Sequence, residues 1–161
     1  MSQAASYSPP ASGLADPLQP RLPQSGKQLT WSRLYGDSLP LLLARAAREY
    51  GGLIVVITPD SQESERLQEQ LRFFSHQEAL EIHCFPDWET LPYDSFSPHQ
   101  DIVSQRLETL HRLPGLGRGI LLVPAGSLLQ RLPPRGFIDQ YSLVVDKGDR
   151  LDLDNLRQRL D

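Results

Sequence analysis

The sequence is poor in cysteine, in long apolar runs and in concentrated positive charge, and each shortage closes off a class of protein. A single cysteine, Cys84, excludes a disulfide framework within the chain and any cysteine-rich zinc site. No apolar stretch approaches the roughly 18–20 residues that a membrane-spanning helix needs. Met1 to Pro10 are polar and lack the basic start and apolar stretch of a signal peptide. A soluble, cytoplasmic chain without a membrane partner is the expectation. There are 16 Lys and Arg against 20 Asp and Glu, a net charge of −4, and no block of five or six basic residues. That balance argues against a dedicated nucleic-acid-binding face.

What is present is proline, 14 of them in 161 residues, unevenly spread. Pro9, Pro10, Pro17, Pro20 and Pro23 lie among Ser, Ala and Gln, in a stretch that cannot bury enough apolar surface to offset its ordering entropy. Residues 1–28 therefore read as a disordered or extended leader. The whole chain of 161 residues, at about 150 residues per domain, suggests one full domain with part of a second.

From residue 29 the pattern alternates. Ser38 reads as an N-cap with Pro40 in the first turn, followed by one helical face of Leu39, Leu42, Leu43, Ala46, Ala47 and Tyr50 and a stop at Gly51-Gly52. Leu53 to Thr58 is a continuous β-branched run, which predicts a central parallel strand covered on both faces. Asp60 and Glu63 have capping-box spacing and open a helix that buries Leu67, Leu71 and Phe74. A strand is predicted over 80–85. A helix starts at Ser97-Pro98, carries Ile102, Val103, Leu107, Leu110 and Leu113, and closes at Pro114-Gly115. A strand over 119–124 and a short helix over 126–132 follow. Helices alternating with buried strands define an α/β domain with a parallel sheet and right-handed crossovers. Pro133-Pro134-Arg135-Gly136 reads as a boundary; beyond it a strand over 141–145, a turn over 146–149 and a helix over 152–160 look like the truncated start of a second small α/β domain.

Parallel sheets place ligands at the carboxyl ends of their strands, so a phosphate-binding loop is the first motif to seek. Gly26-Lys27 lacks the first glycine, the Ser/Thr and a preceding strand. The loop from Tyr35 to Pro40 lies where such a loop belongs but has no lysine, and Asp37 would repel phosphate. No functional P-loop is expected. His76, His83 and His111 share no ligand spacing, Cys84 lies in an apolar strand as an inert packing residue, and no G-x-S-x-G elbow motivates a serine hydrolase.

The densest constellation is Phe85-Pro86-Asp87-Trp88-Glu89-Thr90-Leu91-Pro92-Tyr93-Asp94-Ser95-Phe96-Ser97-Pro98-His99-Gln100-Asp101. Four carboxylates and a histidine could form a metal or acid/base site. Three prolines that stiffen the loop, aromatics that anchor it, and Asp87 or Asp94 capping backbone N–H groups make a structural role the favoured reading. His99 and Asp101 fall in the first helical turn, where a carboxylate suits the helix dipole. Trp88 is expected to pack between the loop and the helix that follows.

Asp87 to Ile102 closely resembles the N-terminal region of the bacterial transcription-repair coupling factors. The likeness continues through Ser104 to Leu113, Gly119 to Arg131 and Lys147 to Leu151, and so covers about residues 36–161. It implies a degenerate RecA-like domain over 29–134, similar to the first part of the excision-repair protein UvrB but without its ATP site, and the incomplete start of a UvrA-binding domain over 135–161. The family protein is an ATP-driven double-stranded-DNA translocase that displaces stalled RNA polymerase and recruits UvrA. The resemblance places ATP, magnesium, polymerase and DNA with regions outside this chain, and most UvrA contacts past residue 161. It leaves here no catalytic, cofactor or metal residue. Asp87, Trp88, Glu89, Pro92, Tyr93, Asp94, Ser97, Pro98, His99, Gln100 and Asp101 are then a family-motif loop with a structural role. The alternatives are the nucleotide-binding domain of a UvrB-like helicase, and a small α/β hydrolase using the Asp87–Asp101 acidic loop.

Overall fold

The structure is a computed structural model and describes residues 19–76, 80–88, 90, 95, 97–141 and 148. Its elements are α1 (Ser38–Tyr50), β1 (Leu53–Thr58), α2 (Ser61–Ser75), β2 (Ile82–Cys84), α3 (Gln100–Arg112), β3 (Gly119–Pro124) and α4 (Arg135–Tyr141), with 3-10 turns at Leu113–Gly115 and Ala125–Leu129. The three strands form one parallel sheet in the order β1-β3-β2. This is the expected α/β architecture.

The strand order corrects one expectation. β3, not β1, is central, and all six of its residues are buried. Alternation along it builds two cores. Ile120 and Leu122 join Leu43, Ala44, Ala47, Leu67, Leu71 and Cys84 on the face covered by α1 and α2. Leu121 and Val123 join Phe85, with Leu110 and Leu113 packed over them, on the other face. β1 pairs with β3 and turns Ile54 and Val56 into the first core, but Val55 and Ile57 remain 53% and 60% exposed. An unbroken apolar run requires cover on both faces; over β1, α1 and α2 cover only one.

Gly119 is needed where β3 enters the sheet. Its φ is +141°, and a Cβ there would lie 2.6 Å from the Glu81 carbonyl oxygen. Its N–H donates to Gly52 O at 3.3 Å and the Ile120 N–H to Glu81 O at 2.9 Å, so the chain threads between the starts of both neighbours.

The helix ends differ in detail from the sequence pattern. Asp37 is the N-cap of α1 and makes no side-chain cap bond; Ser38 is the first helical residue. Leu39 and Tyr50, assigned to the buried face, are 36% and 59% exposed at the two ends of the helix. In α2 the Asp60 carboxylate accepts from the Glu63 N–H at 2.8 Å, as the spacing predicts. Two small polar residues complete this layer: Ser64 shares a 2.6 Å hydroxyl contact with Thr58, and Ser75 donates to Leu71 O. α3 begins at Gln100 rather than Ser97, since the residue before a proline is held extended. The short helix predicted over 126–132 is a 3-10 turn ending at Leu129. α4 was not foreseen; it packs against α3 and buries Ile138. Within the leader, residues 19–28 form neither helix nor strand, and Pro20 is buried. Most of the strand, turn and helix predicted beyond residue 141 lies outside the described residues.

Centre and edge should differ in mutational cost. Leu122→Ala is expected to lower the unfolding free energy by about 2–5 kcal/mol, and Val55→Thr by less than about 1 kcal/mol. Urea titrations of both variants check this, and equal losses would contradict the strand order. Cys84 is buried, which raises its thiol pKa above the ordinary value, with Glu65 adding to the rise and Arg72 and Ser64 opposing it. At pH 8 it should react with a disulfide reagent far more slowly in buffer than in denaturant.

Candidate functional site

Three segments meet at the carboxyl end of the sheet, where ligands gather in α/β folds. The Phe85 N–H donates to Leu122 O at 2.9 Å, carrying the β2–β3 pairing one residue beyond β2. Pro86, Asp87 and Trp88 follow at once. α3 crosses beside them, and the 3-10 turn after β3 brings Gly126 and Gln130.

Arg106 is the hub. It is 2% exposed, its guanidinium carbon lies 4.0 Å from the centre of the Phe85 ring and 4.2 Å from that of Trp88, and its Nη1 donates to the Pro86 carbonyl. Burial lowers the pKa of this guanidinium and the nearby Asp87 charge opposes the shift; arginine remains a cation in such a setting. Each ring contributes about 0.5–2 kcal/mol by cation–π attraction, and the charged hydrogen bond about 1.5–3 kcal/mol. These terms offset the cost of taking the cation out of water.

Asp87 is the second joint. Its Oδ1 accepts from the Trp88 N–H at 2.8 Å and from Gln130 Nε2. Its Oδ2 occupies the space a side chain at Gly126 would need: a Cβ there would lie 2.5 Å away. The carboxylate therefore fastens the root of the loop to the segment that follows β3.

The other motif residues lie apart from this cluster. Trp88 packs against Arg106 of α3 as expected, but it is half-buried rather than enclosed. Ser97 and Gln100 are exposed, and Pro98 is half-buried. His99 is the N-cap of α3. Its Nδ1 lies 3.3 Å from the Asp101 N–H, from which it accepts when neutral, and 3.3 Å from the Asp101 carboxylate, to which it donates when protonated. Both side chains are mostly exposed. Glu89, Pro92, Tyr93 and Asp94 lie outside the described residues. Among the described residues no three His, Cys, Asp or Glu side chains are grouped to hold a metal ion. The cluster ties Phe85 to Trp88, at the exit from β2, to α3 and to the segment after β3.

Sequence reasoning missed Arg106, Gly126 and Gln130. Arg106 was legible in principle: Ile102, Arg106, Leu110 and Leu113 share one helical face, so a cation stands within an apolar stripe. Gly126 and Gln130 carry no local signal, because their partner is 39 and 43 positions away in the chain.

Gly126→Ala should cost about 1–3 kcal/mol by forcing Asp87 aside, and much less in an Asp87→Ala background. A double-mutant cycle by urea unfolding measures this; additive losses would contradict the contact. Trp88→Ala is expected to cost about 2–3 kcal/mol, below the roughly 3–5 of a fully buried tryptophan, since part of the ring already faces solvent.

A scan of protein-family models finds no match. Curated proteins do match. The chain is 44% identical over 138 residues to the transcription-repair-coupling factor of Escherichia coli (strain K12), across 86% of this chain and 12% of that protein. It is 41% identical over 133 residues to the factor of Haemophilus influenzae, covering 80% and 11%. The factor of Mycobacterium tuberculosis (strain CDC 1551) is 36% identical over 132 residues, covering 76% and 10%. The chain thus spans only about a tenth of the length of these relatives. Over that span it belongs to the transcription-repair coupling factors.

Proposed function

We propose that this chain is the N-terminal scaffold segment of a transcription-repair coupling factor, a degenerate RecA-like domain that does no chemistry of its own and leads into a UvrA-binding domain from about Gly136. The observation that carries this reading is the 44% identity over 138 residues to the Escherichia coli factor. In the whole protein, ATP-driven translocation on DNA, displacement of stalled RNA polymerase and recruitment of UvrA would then be divided among regions, with ATP and magnesium held in motor domains outside this chain.

The residues at the amino end of α1 do not fit a nucleoside triphosphate. The loop from Tyr35 to Pro40 contains no lysine. Asp37 stands at the N-cap with its Oδ1 accepting from Gln70 Nε2 at 2.6 Å, which puts negative charge where phosphate would need donors. The acidic-loop alternative draws no support from Asp87, whose carboxylate is committed to Trp88 and Gln130.

Two measurements test the reading. Titration calorimetry of the purified chain with magnesium-ATP should show no micromolar binding; magnesium-dependent binding in that range would favour the UvrB-like nucleotide domain instead. Replacing the matching segment of the Escherichia coli factor with this chain should preserve strand-specific repair in cells. Loss of that repair in a chimera that folds and retains ATPase activity would count against the family role.

A further inference from the structure

β1 has the residues of an interior strand and the position of an edge strand. Leu53–Thr58 contains no charge, no glycine and no proline, a run that belongs inside a parallel sheet. Yet β1 pairs with β3 alone. Its hydrogen bonds fix which backbone groups are left over. Gly52 O accepts from the Gly119 N–H, so it points at β3. The trans peptide sets the Leu53 N–H on the opposite side, and each further residue of the strand reverses direction. The N–H and C=O groups of Leu53, Val55 and Ile57 are therefore aimed away from β3. Among the described residues no backbone group pairs with them.

A cavity of about 780 Å³ opens at this edge. Residues 54–57 line it, with residues 22–27, Leu29 and Trp31 of the segment before α1 and Leu43, Ala46 and Tyr50 of α1. The stretch 22–31 thus borders the same cavity as β1 without pairing with it. It is held there, since Pro20 is buried and Trp31 packs against the first core. The β1 and α1 side chains in the lining are apolar but for the Tyr50 hydroxyl. Val55 and Ile57 among them are more than half exposed.

An edge of alternating donors and acceptors is met along its length only by another strand, and strand addition at an open edge is a recurrent mode of recognition. A compact ligand would meet one or two of the six groups. We propose that a β-strand from the part of the coupling-factor polypeptide outside this chain enters the cavity, pairs with β1 and makes it an interior strand. The matched span is 12% of the Escherichia coli factor, so most of that polypeptide is available to supply the strand. A strand tethered in the same polypeptide is favoured over one from a separate protein by its effective concentration. This deepens the proposed function and rests on it for the source of the strand; the open edge and the cavity stand without it.

Hydrogen exchange read at single residues tests this in two molecules, the 161-residue chain and the chimera in which it replaces the matching segment of the Escherichia coli factor. In the chain alone the amides of Leu53, Val55 and Ile57 should exchange about 10–100-fold faster than those of Ile54 and Val56, which face β3. In the chimera all five should be protected alike. Fast exchange of the outward three in a chimera that retains ATPase activity would overturn the proposal. Protection of those three already in the chain alone would overturn it too, since the edge would then have its partner within the chain. If the chimera does not fold, the same measurement on the Escherichia coli factor, at the residues aligned with these five, decides the matter. Loss of strand-specific repair in a chimera whose five amides are protected would count against the family role and leave the pairing of β1 standing.

Discussion

A parallel strand with all six residues buried can persist only if both its edges are paired and both its faces covered, because no water reaches its peptide groups. β3 is such a strand, and the domain is arranged to meet its demand. β1 and β2 flank it, α1 and α2 cover one face, and α3 covers part of the other. Its entry requires Gly119, since any Cβ would strike the Glu81 carbonyl. At its far end the bond from Phe85 N–H to Leu122 O fixes where β2 lets go and so where the Asp87–Trp88 loop emerges.

Phe85 to Trp88 take their position from that bond and from Arg106. A buried cation is costly unless its hydration is replaced. Here two aromatic rings and a carbonyl supply the replacement, while the Asp87 charge acts through space. Because Phe85 and Trp88 lie on either side of Pro86 in sequence, one side chain from α3 restrains the loop at consecutive points. Asp87 then ties the same root to Gln130, across the space kept open by Gly126. A stretch dense in carboxylates and aromatics is in this way an anchoring device at its described end.

Local features were legible in the residues because they depend on neighbours a few positions apart. The Asp60–Glu63 cap, the stop of α1 at Gly51 and the strands at 53–58 and 119–124 follow from capping chemistry, backbone preference and short continuous apolar runs. The bond from the Trp88 N–H to the Asp87 carboxylate is likewise of the local kind that an aspartate beside a turn makes. The burial of Arg106 and Thr109 was obscured by counting only apolar side chains on α3, although both fall on its inward stripe.

Strand order could not be read from the residues. Leu53–Thr58 and Gly119–Pro124 are both continuous apolar runs, and a hydrophobic run states that it must be buried without stating against what. Only the crossovers decided that β3 is central and that Val55 and Ile57 face outward. The same long-range packing brought Gly126 and Gln130 to Asp87 and left Ser127 beside an apolar cavity. Sequence alone determined the α/β class, the types of the elements from α1 to β3 and the family resemblance, all of which rest on short-range chemistry and ordered motifs. The tertiary structure decided which apolar surface is satisfied and which is left over, because that depends on contacts whose partners lie tens of residues apart.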